Sequence, residues 1–234
     1  MKRLRYEKIR EAYFLSRPNR FIARVALAGV VRTVHVKNTG RCRELLRPGS
    51  PVILAESDKA DRKTPFDLIA VEKKREDAFP LLINMDAQAP NAAAEEWLRA
   101  GGLIPVPDLV RREVTYRDSR FDFYLEKGER RAFVEVKGVT LEDHGEARFP
   151  DAPTERGAKH LRGLVRAKSE GFEAYVLFLI QMKGPRVFRP NEETDPAFAA
   201  ALRKAAAAGV GVLAFDCMVE ADRMAVSSAV RVEL

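Results

Sequence analysis

The chain holds only two cysteines, Cys42 and Cys217, three histidines and one tryptophan in 234 residues. Two cysteines cannot build a disulfide framework or a four-ligand zinc site, and they fit a reducing, cytoplasmic setting. Long apolar runs are missing as well. The longest covers residues 174–180, against roughly 20 residues for a membrane helix. The opening stretch MKRLRYEKIREAYF is charged throughout and lacks an apolar signal core, so the expectation is a cytoplasmic protein with no membrane segment. Internal repeats and low-complexity tracts are absent apart from an Ala-rich stretch near residue 205. Nothing in the residues calls for a small organic cofactor, and nothing fixes the oligomeric state.

Charge is plentiful but uneven. Residues 1–83 carry 19 Lys/Arg against 10 Asp/Glu, and residues 84–234 carry 22 against 24, for a net charge of +7. A basic first third on a nearly neutral remainder suggests a polyanion partner, with DNA the first candidate. The composition, 46% hydrophobic and 32% charged, is that of an ordinary folded protein.

Two patterns divide the chain. Residues 17–83 read as short strands with turns: FIARVALAG, VVRTVHVK, PVILAE, DLIAVEK and AFPLLIN. About five such strands suggest a small OB-like barrel. The first 15 residues read equally as a helix or a flexible basic arm. From residue 84 onward helices and strands alternate, which predicts an α/β domain with a mixed sheet over residues 84–234. The expected helices are NAAAEEWLRAGG with Asn91 as N-cap, APTERGAKHLRGLVRAKSEG starting near Thr154, and DPAFAAALRKAAAAG capped by Asp195.

Chemistry concentrates in RFDFYLEKGERRAFVEVKGVT, residues 120–140. Strand alternation puts Phe121, Phe123 and Leu125 on one face and Asp122 on the other; in the next strand Glu135 and Lys137 share a face. If the strands pair, Asp122 reaches the same spot. Two converging carboxylates need a proton or a cation between them, and such oxygen ligands suit Mg²⁺ or Mn²⁺. Lys137 would orient a water or stabilise charge on a phosphate. The competing reading is a solvated hairpin with cross-strand ion pairs.

The order of helix with Glu, strand with Asp, strand with E-x-K, helix and strand resembles the PD-(D/E)XK nuclease core. Across the chain, SRPNRFIARV, VKNTGRC, RPGSPV, FDFYL, VEVKGVTL, RFPDAPTERGAKHLRGL and GVGVLAF together resemble the sugar fermentation stimulation protein family. FPDAPTERGAKHL is the most specific of these blocks. The resemblance implies DNA binding, an N-terminal OB-like domain and a nuclease-like C-terminal domain, an α+β two-domain chain. It implies Asp122 and Glu135 as metal ligands with Lys137 beside them, and a helix glutamate at Glu95 or Glu96, of which Glu96 is preferred. Gln181, at the end of a buried strand, would complete the metal site. Phe121 stands where many members of the nuclease superfamily have proline.

For DNA, Arg17, Arg20, Lys37, Asn38, Thr39, Arg41 and Arg43 would line one groove and Arg62 and Lys63 another loop, giving affinity without sequence preference. Arg156 and Lys159 would reinforce phosphate binding in the first turn of their helix. Phe21 reads as core, His160 as a packing or hydrogen-bonding residue, and His35 and His144 as surface residues. The leading expectation is a sequence-nonspecific DNA-binding protein with a Mg²⁺-dependent centre hydrolysing phosphodiester bonds. The alternative is a non-cleaving DNA-binding regulator of sugar metabolism with a nuclease-like fold.

Overall fold

The computed structural model describes residues 4–38, 40–57, 62–75 and 79–234. The first sheet uses β1 (Ile9–Asn19), β2 (Ile22–Leu27), β3 (Val30–Val36), β4 (Pro51–Glu56), β5 (Phe66–Lys73) and β6 (Leu81–Asn84) in the order β3-β2-β1-β4-β5-β6. Parallel pairing of His35 with Asp67 and Val36 with Leu68 joins β3 to β5 and closes a five-stranded barrel, the OB architecture expected. β1 pairs with both β2 and β4, and its register shifts after Phe14 and again after Ser16. Such irregularities bend a strand far enough to serve both sides of a small barrel. The undecided first 15 residues thus contribute a barrel strand from Ile9 onward. At the β2–β3 hairpin, Ala28 and Gly29 both take positive φ, 49° and 79°, the conformation that matches the twist of a two-residue turn.

The C-terminal part follows with α1 (Ala89–Arg99), β7 (Leu109–Tyr116), β8 (Ser119–Lys127), β9 (Arg130–Val139), β10 (Leu141–Asp143), β11 (Glu146–Phe149), α2 (Glu155–Ser169), β12 (Glu173–Ile180), β13 (Val187–Pro190), α3 (Pro196–Ala207), β14 (Gly211–Glu220), β15 (Arg223–Ala229) and β16 (Arg231–Val232). Its main sheet runs β15-β14-β12-β9-β8-β7. β9, β12 and β14 are parallel, the outer pairings antiparallel. This is the mixed sheet expected. Of the small sheet of β10, β11, β13 and β16, only β16 falls in a stretch, AVRVEL, that reads as a strand in the sequence. The other three strands are three or four residues long, too short for alternation to register.

α1 packs on one face of the sheet with Phe123, Leu125, Val134 and Leu177; Phe121, Phe133, Phe178 and Phe198 lie in the core beneath α2 and α3. That second core continues into the barrel interior through Phe14, Val25, Leu54 and Leu68. α2 starts as read, with Thr154 Oγ1 accepting the Gly157 amide at 3.1 Å, and Asp195 caps α3 through Phe198 N at 2.8 Å. α1 differs: it begins at Ala89, and Asn91 is not its cap. Asp86 holds the entry instead, its carboxylate accepting Gln88 N at 2.9 Å and its carbonyl accepting Ala89 N. Pro90, favourable in a first turn, fixes the start two residues before Asn91.

Candidate active site

β8 and β9 pair from Lys127 with Arg130 up to Phe123 with Val134, and no further. Beyond that point the strands part, and the Asp122 side chain stands in for the next rung: Oδ2 accepts Val136 N at 2.8 Å. The strict alternation read from sequence breaks at this residue. Phe123 stays under α1, but Phe121 turns to pack against Phe133, ring centroids 5.1 Å apart, on the α2 side. The other oxygen of Asp122 accepts Asn91 Nδ2 at 2.9 Å. Asp122 therefore sits in the fork between the strands, held by α1 and β9.

Glu135 is 3% exposed and faces α2. Its Oε1 accepts Lys137 Nζ at 2.6 Å and also His160 Nδ1. Its Oε2 is buried with no partner. Burial alone would raise the Glu135 carboxyl, but His160 and Lys137 hold it below the usual carboxylate range. Asp122 goes the other way: burial first, then the negative charge of Glu135, raise it, against the opposing pull of Val136 N, Lys137 and Asn91. Carboxylates close enough to repel in this way are relieved by a proton on one of them or by a cation between them.

Among the described residues no cluster of three or more His, Cys, Asp or Glu forms a ready metal site. Two carboxylates nevertheless have the oxygen donors that suit Mg²⁺ or Mn²⁺, which keep several waters, and Glu135 Oε2 is a buried acceptor without a hydrogen-bond partner.

The preferred helix glutamate is not at this site. Asn91 faces Asp122, and on an α-helix a residue four positions on is rotated by about 40° while one five positions on is rotated by about 140°. Glu96 accordingly turns away, accepting the backbone amide of Leu4. Glu95 shares the Asn91 face but pairs with Arg99 at 2.8 Å and Arg112 at 3.3 Å. Gln181 is buried at the end of β12 and donates to Asn84 O, Asn84 Oδ1 and Asp86 O at 3.0, 3.1 and 3.2 Å. It ties β12 to the start of α1 and makes no hydrogen bond to Asp122 or Glu135. Asn91, read as a helix cap, is the partner that sequence reasoning missed; His160, read as a packing or hydrogen-bonding residue, is both, bonded to Glu135 and packed on Phe121. The signal for His160 was its place on the apolar stripe of α2, with Gly157, Ala158, Leu161 and Leu164.

The basic candidates separate into two groups. Arg17 donates to the carbonyls of Arg20, Asn38, Gly40 and Arg41 at 2.7–2.9 Å, so it builds the loop. Lys37 pairs with Asp86 at 3.0 Å and Asp67 at 3.5 Å, and Arg62 is bidentate to Asp67. His35, read as a surface residue, is half-buried, with Nδ1 3.0 Å from Asp67 Oδ1. Asn38 Oδ1 accepts Gly40 N at 2.8 Å, an Asx turn. Thr39 lies outside the described residues. Arg20, Arg41, Arg43, Lys63, Arg156 and Lys159 are exposed, Lys159 lying 3.8 Å from Asp118. Phe21 is not core: it is 45% exposed with Arg20 stacked over it at 4.8 Å. No described helix is long and apolar enough to cross a membrane.

Residues 15–79 match the SfsA N-terminal OB domain, and residues 88–223 match the sugar fermentation stimulation protein RE domain. The chain belongs to the sugar fermentation stimulation protein family. A member from Desulfitobacterium hafniense is 53% identical over 231 residues, covering 99% of both chains. One from Ruminiclostridium cellulolyticum is 48% identical, covering 99% of this chain and 100% of the other. The solved structure of Pyrococcus furiosus SfsA in complex with Ca²⁺ is 26% identical and superposes with a TM-score of 0.87 over the whole of both chains. The family match accounts for the nuclease-like sheet carrying Asp122, Glu135 and Lys137.

Proposed function

We propose that this family member is a DNA-binding protein whose C-terminal sheet carries a Mg²⁺-dependent centre for phosphodiester hydrolysis. The observation that carries the reading is the buried, unpartnered Oε2 of Glu135 beside a second carboxylate, Asp122, in the fork of β8 and β9. Asp122 and Glu135 would hold the metal, Mg²⁺ or Mn²⁺. Bound there, the metal would supply Lewis-acid activation of water and of the phosphate. Lys137, half-buried with Nζ on Glu135, is placed to orient the attacking water and to offset charge developing on the phosphate oxygens. Asn91 and the Val136 amide keep Asp122 from rotating away. The Ca²⁺ held by the Pyrococcus furiosus relative is another hard cation of oxygen ligands and supports the same reading.

The exposed arginines of the OB barrel supply phosphate contacts, and Phe21 beneath Arg20 offers a base a stacking surface. Contacts of this kind carry little sequence information. A rival reading, a DNA-binding regulator that does not cut, is favoured by one observation: α1 offers Asn91 to Asp122, and its glutamates are engaged elsewhere. Incubation with DNA and Mg²⁺ or Mn²⁺ decides between them. Cleavage by wild type that is lost in Asp122→Ala and Glu135→Ala is expected. Equal cleavage by all three proteins, or none, removes the enzymatic claim and leaves the regulator.

A further inference from the structure

Both donors to Glu135 use the same oxygen. Lys137 Nζ at 2.6 Å and His160 Nδ1 converge on Oε1, while Oε2 is buried and unpaired. A carboxylate free to turn would spread its donors over both oxygens. The imidazole has little freedom of its own. It is buried, with the Phe121 ring edge-on at 6.4 Å. Arg156, one turn earlier on α2, donates from Nε to His160 Nε2 at 3.4 Å. That nitrogen is an acceptor, so the imidazole proton is on Nδ1 and points at Glu135.

We propose that Arg156 and His160 are positioning residues: a relay from α2 that locks Glu135 Oε1 and leaves Oε2 as the metal-facing oxygen. The inference rests on the metal reading above and adds to it two residues outside the D…E-x-K pattern. Lys137 alone would make a poorer lock, because its long stem leaves the ammonium free to follow the carboxylate, whereas the ring is fixed by its packing. Hydrogen-bond partners of metal ligands typically contribute 10–100-fold to metal affinity.

The test is Mn²⁺ binding to the full chain without DNA, followed by electron paramagnetic resonance, with melting temperatures recorded alongside. His160→Gln moves the amide away from the Nδ1 position and is expected to weaken Mn²⁺ binding about 10–100-fold. His160→Asn puts an amide nitrogen close to the Nδ1 position and is expected to restore binding close to wild type. Wild-type Mn²⁺ binding that both variants share unchanged overturns the relay while leaving the metal reading intact. Equal weakening in both variants, at unchanged melting temperature, assigns His160 to packing and also overturns it. Wild-type protein that takes up no Mn²⁺ overturns the metal reading and the relay together. Nitrogen-15 shifts of His160 in the metal-free protein read the relay directly: protonation on Nδ1 is expected in wild type, and in Arg156→Met the Nε2 shift is expected to move while the proton stays on Nδ1, held by the Glu135 carboxylate; an Nε2-protonated wild-type ring, or an Nε2 shift unchanged in Arg156→Met, contradicts the relay.

Discussion

Asp122 shows how one residue can be costly to the fold and useful to the site. Burial and the charge of Glu135 raise its carboxyl, so the native protein holds a proton there more tightly than the unfolded chain does. The ionised form is thus a burden on stability above that raised value, and the burden fades as pH falls through it. Asp122→Asn, able to keep an acceptor for Val136 N, is expected to melt higher than wild type at neutral pH, with the gap closing in acid, while losing metal binding. Equal or lower melting at neutral pH would contradict this balance; thermal unfolding across pH measures it. Gly138, directly after Lys137, makes a steric argument. A Cβ there would lie 2.5 Å from Gln181 Oε1 and 2.7 Å from Pro90 Cγ. Gly138→Ala is expected to cost about 1–3 kcal/mol by overpacking, read by urea unfolding.

At the scale of elements, the three helices, the barrel strands and the main-sheet strands were legible because each is long enough to show its period and most carry their own punctuation. Asp195 and Gly209 bracket α3 as read. Asp195 does more than sequence spacing reveals, since its other oxygen accepts Thr154 N at 2.7 Å and so joins the entry of α2 to that of α3. Asp195→Ala removes both bonds and is expected to destabilise by about 1–2 kcal/mol, again by urea unfolding. What was not legible depends on departures from regularity. The parting of β8 from β9 at Asp122 moves Phe121 across the sheet, and no alternation rule contains such a fork. The helical phase of α1 decides between Asn91, Glu95 and Glu96, and neither the resemblance nor the sequence shows which of them turns toward Asp122. Lys37 looks like a phosphate ligand in sequence because its partners Asp67 and Asp86 are distant in the chain, as are three of the four carbonyls that hold Arg17; Arg62 has its partner, Asp67, close by, but only the start of β5 turns that carboxylate toward it.

Across the whole molecule, the two parts are joined by polar contacts as well as by the shared core. Lys73 of β5 donates to Glu142 Oε2 at 2.6 Å, with Gly145 N on the other oxygen at 2.7 Å. The Asp151 carboxylate abuts Gly40 so closely that a Cβ there would overlap it, which brings the NTGRC and FPDAP blocks together. Burial would raise Glu142, but Lys73 and the Gly145 amide hold it below its usual value. Its stabilisation is therefore present at neutral pH and lost as pH falls through that lowered value. Lys73→Met leaves a buried carboxylate without its partner and is expected to cost about 3–5 kcal/mol at neutral pH, less in acid, where Glu142 takes up a proton. The same junction sets Arg41 against the Asp151 carboxylate, just before α2, and Asp122 and Glu135 of the main sheet are proposed to hold a metal. The most direct test is a crystal soaked in Mn²⁺ and measured at the manganese absorption edge. An anomalous peak bound by Glu135 Oε2 and the Asp122 carboxylate, at about 2.0–2.2 Å, is the predicted result; no peak between those two side chains, in crystals where the fork of β8 and β9 is open to solvent, would contradict it.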